Sequence, residues 1–166
     1  MATYNLIATT TVGAGGASSI DFTGIPQTYT DLKVVLSVRS SDGSGSLRVQ
    51  PNGLTTNLSS RRLEGSGSGA SSATDGSIIF IYAVTISSYT ASVFSNIEIY
   101  IPNYAGSTYK SVSADGVMEN NATEAYQNLV AGLWSNTAAI TSLTLAKSSG
   151  TFVQYSSASL YGIKSS

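Results

Sequence analysis

Apolar and polar residues alternate along much of this chain, the pattern of β-strands that bury one face. Every second residue from Leu32 to Val38 is apolar, while Lys33 falls on the other face. The run from Asn96 to Pro102 alternates in the same way, with isoleucine at every second position. Proline has no N–H to donate to a neighbouring strand, so this run should end at Pro102 or lie at a sheet edge.

Further apolar runs predict additional strands, separated by short clusters of Gly, Asn, Asp and Ser that favour turns. One strand should begin almost at the N-terminus, and the others should cover residues 47–50, 77–85, 110–115, 128–134, 140–146 and 159–163. The pair Asp42-Gly43 suits a tight hairpin. Residues 119–127 fit either a short helical turn or a loop that leads into the next strand. About eight to ten short strands at this spacing predict an all-β fold, a sandwich or a barrel.

One segment of low complexity, from Gly65 to Ser77, consists mainly of Gly, Ser and Ala. It has little apolar area to bury, so we expect a long flexible loop that is either functional or disordered. Neither flank of this segment has enough predicted strands for a core of its own. We therefore expect residues 1–166 to form a single domain.

Composition narrows the class of protein. Only 10% of the 166 residues are charged, and 8 basic against 9 acidic residues leave a net charge of −1. Duplex nucleic acid is not an expected partner, because neutralising its phosphates needs a stripe of basic side chains. A membrane is not expected either, since no apolar run approaches the roughly 18 residues of a membrane span. The first residues also lack the basic and apolar regions of a signal peptide.

Signals for catalysis and metal binding are sparse. The chain has no Cys and no His, so it lacks thiolate nucleophiles, zinc–cysteine sites and the commonest general base. Acidic and amide side chains between Asp115 and Glu124 offer the oxygen ligands that suit calcium, but their spacing does not match an EF-hand loop. The sequence therefore predicts no enzyme, no catalytic residues, no cofactor and no metal site.

The ten Tyr, four Phe and one Trp are the most suggestive side chains. Rings on strands often pack against cross-strand neighbours, whereas exposed Tyr and Trp favour protein interfaces or stack on sugars. We select Tyr100, Tyr104 and Trp134 as candidate interface anchors. Arg61 and Arg62, just before the Gly/Ser segment, are either an anchor for an acidic partner or a solvated pair.

Several parts of the sequence together resemble small virion structural proteins of tailed bacteriophages. They are MATYNLIATTTVG at residues 1–13, ASSIDF at 17–22, IPQTYTDL at 25–32, IYIPNYAGS at 99–107 and SLYGIK at 159–164. This resemblance covers most of the chain and implies a β-sandwich of jelly-roll type. It also implies a role as a capsid decoration (cement) protein or as a tail-associated component, and it supplies no catalytic residues.

Two roles follow from the resemblance. As a decoration protein, the chain would stabilise the shell through contacts with the major capsid protein and with itself. We expect a trimer, because capsid lattices offer three-fold positions and a closed ring multiplies a weak contact. As a tail-associated or receptor-binding module, it would contact host surface glycans. The chain shows no coiled-coil or fibrous extension, which favours the capsid. In both roles the protein resides in the virion, after assembly in the cytoplasm of the host bacterium.

Overall fold

The computed structural model describes residues 2–121 and 124–164, which form twelve strands in two antiparallel sheets. The larger sheet contains, in spatial order, β1 (Thr3–Thr11), β12 (Ser157–Lys164), β3 (Asp31–Val38), β8 (Ser95–Pro102), β9 (Lys110–Glu119), β10 (Ala125–Trp134), β5 (Leu58–Gly65) and β6 (Ala70–Asp75). The smaller sheet contains β2 (Ser19–Phe22), β11 (Leu143–Lys147), β4 (Leu47–Pro51) and β7 (Ile79–Ile81). The predicted all-β sandwich is confirmed. Within the described residues, no helix is long and apolar enough to cross a membrane.

The strand order is that of a jelly roll, a double-sheet fold of eight strands built from two Greek keys. In such a fold the first strand pairs with the last, and the pairing continues inward. Here β1 pairs with β12, β2 with β11, β3 with β8 and β4 with β7. The other four strands are two inserted hairpins, β5–β6 and β9–β10, which both extend the larger sheet beyond β8.

The core lies between the two sheets and is built from the inward side chains of alternating strands. β3 buries every second residue from Leu32 to Val38, as the apolar pattern predicts. The inserted β10 lies over β7 of the smaller sheet, where Gly132 brings the two backbones close together. A Cβ at Gly132 would stand only 2.9 Å from Cγ2 of Ile79, so a larger residue at this position would force Ile79 or one of the sheets to shift.

The prediction of a flexible loop at residues 65–77 is wrong, because most of this segment is a β-hairpin. The turn is closed by a hydrogen bond of 2.9 Å from the Ser66 N–H to the Gly69 carbonyl, and residues 70–75 then form β6. Strand pairing uses backbone groups and does not require apolar side chains. At the far end of the hairpin, the Arg62 guanidinium donates a 2.6 Å hydrogen bond to Asp75.

Other local predictions are changed or confirmed by the fold. The twelve strands exceed the expected eight to ten, because β2, β5 and β6 are too short or too polar to stand out in the sequence. Asp42-Gly43 lies in the connection from β3 to β4, which joins the two sheets, and not in a hairpin.

β9 ends at Glu119 and β10 begins at Ala125, so the described part of residues 119–127 is strand and loop. Residues 122 and 123 lie outside the described residues. β8 ends at Pro102, as predicted.

Candidate binding face

The outward face of the larger sheet, here called the outer face, carries an open groove of about 770 Å³. Its walls and floor come from side chains of β1, β3, β8, β9, β10, β5 and β6. Six of these seven strands lie side by side, and β12 separates β1 from the rest. The two inserted hairpins supply four of the seven strands, so they create most of this surface.

The strand register sets the shape of the groove. Tyr100, Ser113, Ala131 and Arg61 lie in one row across β8, β9, β10 and β5. Ser113 and Ala131 are small and form the floor, whereas Tyr100 and Arg61 stand at the two sides. Neighbouring strands lie about 4.8 Å apart, so the backbones that carry the two walls are separated by roughly 14 Å.

One end of the groove is apolar. Leu129 of β10 and Leu63 of β5 face each other directly across the strand pair, and they are 50% and 61% exposed. On β1, at the far side of the sheet, Tyr4 and Leu6 are each 58% exposed. An exposed pair of adjacent large apolar side chains, such as Leu63 and Leu129, is a candidate contact surface.

The centre of the groove is polar and charged. The Lys33 amine lies 2.7 Å from the Glu98 carboxylate, and this hydrogen bond raises the pKa of Lys33. Glu98 in turn stands directly opposite Asp115 on β9, an arrangement of like charges that disfavours the pair. The Tyr100 hydroxyl donates a 2.8 Å hydrogen bond to Asp31, which raises the pKa of Tyr100. A ligand that brings hydrogen-bond donors to the carboxylates of Glu98 and Asp115 suits this part of the surface.

Arg61 and Tyr100, two of the residues selected from the sequence, line the groove. Arg62 points to the opposite face of β5, where its guanidinium lies within 4 Å of Asp75 and Glu64 and 5.5 Å from the centre of the Phe80 ring. The two consecutive arginines therefore have different roles. Arg61 is available to a partner at the groove, whereas Arg62 holds the base of the β5–β6 hairpin against the smaller sheet.

Tyr104 and Trp134 are fully buried, so their selection as surface anchors is wrong. Trp134 shares the inward face of β10 with Val130, because residues of the same parity in a strand point to the same side. Tyr104 lies in the connection from β8 to β9, and its hydroxyl donates a hydrogen bond to the Pro26 carbonyl. Both rings stabilise the core and its connections.

Sequence reasoning missed the side chains that define the apolar end of the groove. Residues 129–134 are apolar or glycine throughout, so the sequence shows only that Leu129 and Trp134 point to opposite faces of a strand and not which of the two lies outside. Leu63 had no comparable signal, because β5 carries two arginines and a glutamate and reads as a polar segment.

Ser107 and Lys110 have the Ser-x-x-Lys spacing found at some nucleophilic serines. The Lys110 side chain is buried, and burial lowers its pKa. Its amine donates hydrogen bonds to the carbonyl oxygens of Gly106 and Thr108. This geometry makes Lys110 a cap for the turn between β8 and β9, directed at backbone oxygens and away from activation of a hydroxyl.

Across residues 2–121 and 124–164, no three acidic side chains come together as ligands for a metal ion. Comparison with models of protein families, with curated proteins and with solved structures found no match to this chain.

Proposed function

We propose that this protein is a virion structural protein of a tailed bacteriophage, a capsid decoration protein that binds the major capsid protein through its outer face. The observation that supports this most directly is the exposed leucine pair on the outer face. Leu63 and Leu129 stand side by side at one end of a wide groove, on strands that the jelly roll itself does not need. Inserted hairpins that carry exposed apolar side chains favour a role in contact.

The apolar end of this face, away from the charged centre of the groove, suits the core of an interface with a protein partner. Interface cores are depleted in charged residues and enriched in aromatic and Arg side chains. The groove combines leucines with Tyr100 and Arg61, and small hydroxyl residues such as Ser72 and Thr74 border it. Small hydroxyls lose little side-chain entropy and carry no charge to desolvate when a partner covers them.

The decisive experiment measures attachment to particles assembled without the protein. Leu63→Ser and Leu129→Ser should each weaken binding by about four- to twentyfold, because a partner can bury only the exposed half of each side chain, and full burial of a leucine contributes roughly 1.5–3 kcal/mol. Leu54→Ser is the matched control, since Leu54 is 40% exposed but lies outside the groove. Equal binding by all three variants would exclude the outer face as the contact.

The salt dependence of particle binding is a second test of the same contact. An apolar interface should keep most of its affinity as salt rises, whereas a contact made by surface ion pairs is screened. Occupancy on the particles, measured across a salt series, should therefore change little. Loss of binding at moderate salt would overturn the apolar contact.

Position on the particle follows from copy number and symmetry. Hundreds of copies per virion, counted by quantitative mass spectrometry, are expected for the shell, and a few dozen would place the protein in the tail. We expect the bound form to be a trimer at three-fold positions. A reconstruction with isolated monomers away from these positions would overturn the trimer.

A second function, as a receptor-binding module for host glycans, is favoured by the other side of the groove. Tyr4 and Tyr100 offer rings for stacking, and Lys33, Glu98 and Asp31 offer hydrogen-bonding groups beside them. Under this function, Tyr100→Ala should abolish binding to polysaccharide from the host surface, while Leu63→Ser should not. The decoration function predicts the reverse order of effects on particle binding.

A further inference from the structure

The sandwich has four sheet edges, and β6 stands apart from the other three. β2 and β7 at the edges of the smaller sheet have only four and three residues. β1 is longer, but a register shift between Leu6 and Ala8 interrupts its ladder. Short strands and bulges are the usual protection against pairing with another chain. β6 has six residues in unbroken register with β5, and its sequence ASSATD contains no Pro and no Lys.

The direction of the free backbone groups on β6 follows from the turn that precedes it. The hydrogen bond from Ser66 N to Gly69 O makes residues 66 and 69 a hydrogen-bonded pair. Such pairs alternate with non-hydrogen-bonded pairs along an antiparallel ladder. The N–H and C=O groups of Ala70, Ser72 and Thr74 therefore point away from β5. The side chains of these three residues are exposed, and no other strand of the described chain pairs with this edge.

We propose that β6 pairs antiparallel with β6 of a second copy of this chain, around a two-fold axis at Ser72. In this register Ser72 faces Ser72 of the second copy, and Ala70 faces Thr74 of the second copy on either side. All three outward-directed residues of each strand are then used, and the contact contains six backbone hydrogen bonds. A shift by two residues in either direction would leave some of these groups outside the six-residue strand.

The charges of β6 are compatible with this register. Asp75 is the only charged residue of the strand, and like charges placed directly opposite each other disfavour pairing. In the proposed register Asp75 faces Gly69 of the second copy, so the two aspartates lie six positions apart, about 20 Å along the strand. Each aspartate also retains its own partner, Arg62 of the same chain.

The contact is small, so we expect weak association in dilute solution and stronger association on a particle, where neighbouring copies have a high effective concentration. The pairing itself is independent of the proposed function, because it can be tested with the isolated protein, whereas its role on a particle rests on that function. Each copy of a trimer would carry one free β6 edge, so this contact would link neighbouring trimers.

The chain has no cysteine, which permits a direct test by disulfide formation. A hydrogen-bonded antiparallel pair has a Cα–Cα distance of about 5.5 Å, which suits a disulfide. Ser72→Cys should form a covalent dimer under mild oxidation. Thr74→Cys lies on the same face of the same strand but faces residue 70 of the second copy, so its yield should be at least about tenfold lower. Equal yields from the two variants, or efficient crosslinking by Ala73→Cys instead, would overturn the register.

A proline variant tests whether the crosslink depends on strand pairing. Ala70→Pro removes an outward N–H, at a position where an edge strand tolerates proline. Added to Ser72→Cys, it should reduce the dimer yield severalfold while the far-ultraviolet circular dichroism spectrum stays unchanged. An undiminished yield in the folded double variant would show that the copies meet without pairing of β6, and would overturn the proposal.

Discussion

At the scale of single residues, Lys147 on β11 is a charged group held inside the sandwich. The residue is 8% exposed, and its amine donates hydrogen bonds to the carbonyl oxygens of Ser44 and Ser46. Burial lowers the pKa of Lys147 to about 8, and the nearby Asp42 carboxylate opposes this shift only in part. Lys147 therefore joins the β3–β4 connection to the end of β11, at the cost of an ammonium group kept from water.

This shift predicts how stability depends on pH. Above about pH 8 the folded protein releases the Lys147 proton, while the unfolded chain keeps it up to about pH 10.5. At Lys147 the unfolded state then binds more protons, so this residue alone should raise the free energy of unfolding with pH, by at most about 1.4 kcal/mol per unit. The tyrosines whose pKa values are raised in the folded protein act in the opposite direction as the pH approaches 10, equally in wild type and in a variant of Lys147. Urea unfolding between about pH 7 and pH 9.5 measures this rise.

The control for this prediction is Lys147→Met, which keeps an unbranched side chain one atom shorter and removes the charge. Lys110, whose pKa is also lowered by burial, contributes with the same sign in both proteins. The difference between the two slopes therefore isolates Lys147. Parallel pH profiles for wild type and variant would show that Lys147 keeps its proton throughout this range.

At the scale of secondary structure, the two inserted hairpins determine what the molecule presents to a partner. They double the larger sheet from four strands to eight and supply most of the groove on the outer face. The inserted hairpins pack against the smaller sheet, where β10 and β5 contact β7. Gly132 permits this close approach on β10, because a Cβ at this position would stand 2.9 Å from Ile79 of β7.

Substitution of Gly132 should therefore weaken the packing of the inserted hairpins against the smaller sheet and lower the stability of the protein. In Gly132→Ala the new Cβ would stand 2.9 Å and 3.1 Å from two carbon atoms of Ile79, and such overpacking typically costs about 1–3 kcal/mol. Thermal unfolding measures the loss. Gly65→Ala on β5 is the matched control, because a Cβ there meets nothing within 4 Å and stability should change by less than about 0.5 kcal/mol. A Gly132→Ala protein as stable as the control would show that the sheets adjust freely.

At the scale of the whole molecule, the last strand of the chain closes the fold. β12 lies between β1 and β3 and pairs with both, so the N-terminal strand has no place in the sheet until the C-terminal strand is present. β12 also buries Ala158 and Leu160 in the core. Most of the sheet depends on such pairings between distant parts of the chain, and topologies of this kind fold slowly.

Truncation tests this dependence. A chain that ends before β12 loses two ladders and the buried Leu160, whose contribution alone is about 2–5 kcal/mol, out of a typical total of 5–15 kcal/mol. It should show no cooperative thermal transition. A chain that lacks β1 loses one ladder and mainly exposed or half-buried side chains, so it should still unfold cooperatively at a lower temperature. A stable fold without β12 would contradict the closing role of this strand.

The local pattern of the sequence was sufficient for the fold class and for several strands. Alternation predicted β3 and β8 together with the direction of their side chains, and proline marked the end of β8 at Pro102. Side-chain periodicity in a half-buried strand depends on the nearest residues alone, so a single sequence contains this information. The absence of Cys and His is likewise a property of the sequence alone.

The tertiary structure determines the groove on the outer face and the free edge of β6. Leu63 faces Leu129 because β5 pairs with β10, two segments more than sixty residues apart in the chain. β6 became a strand because β5 offered a backbone ladder to a segment without apolar residues. Trp134 lies inside because the smaller sheet covers its face of β10. Pairing partners and sheet order depend on contacts between distant residues, and the local alternation of polar and apolar positions does not encode them.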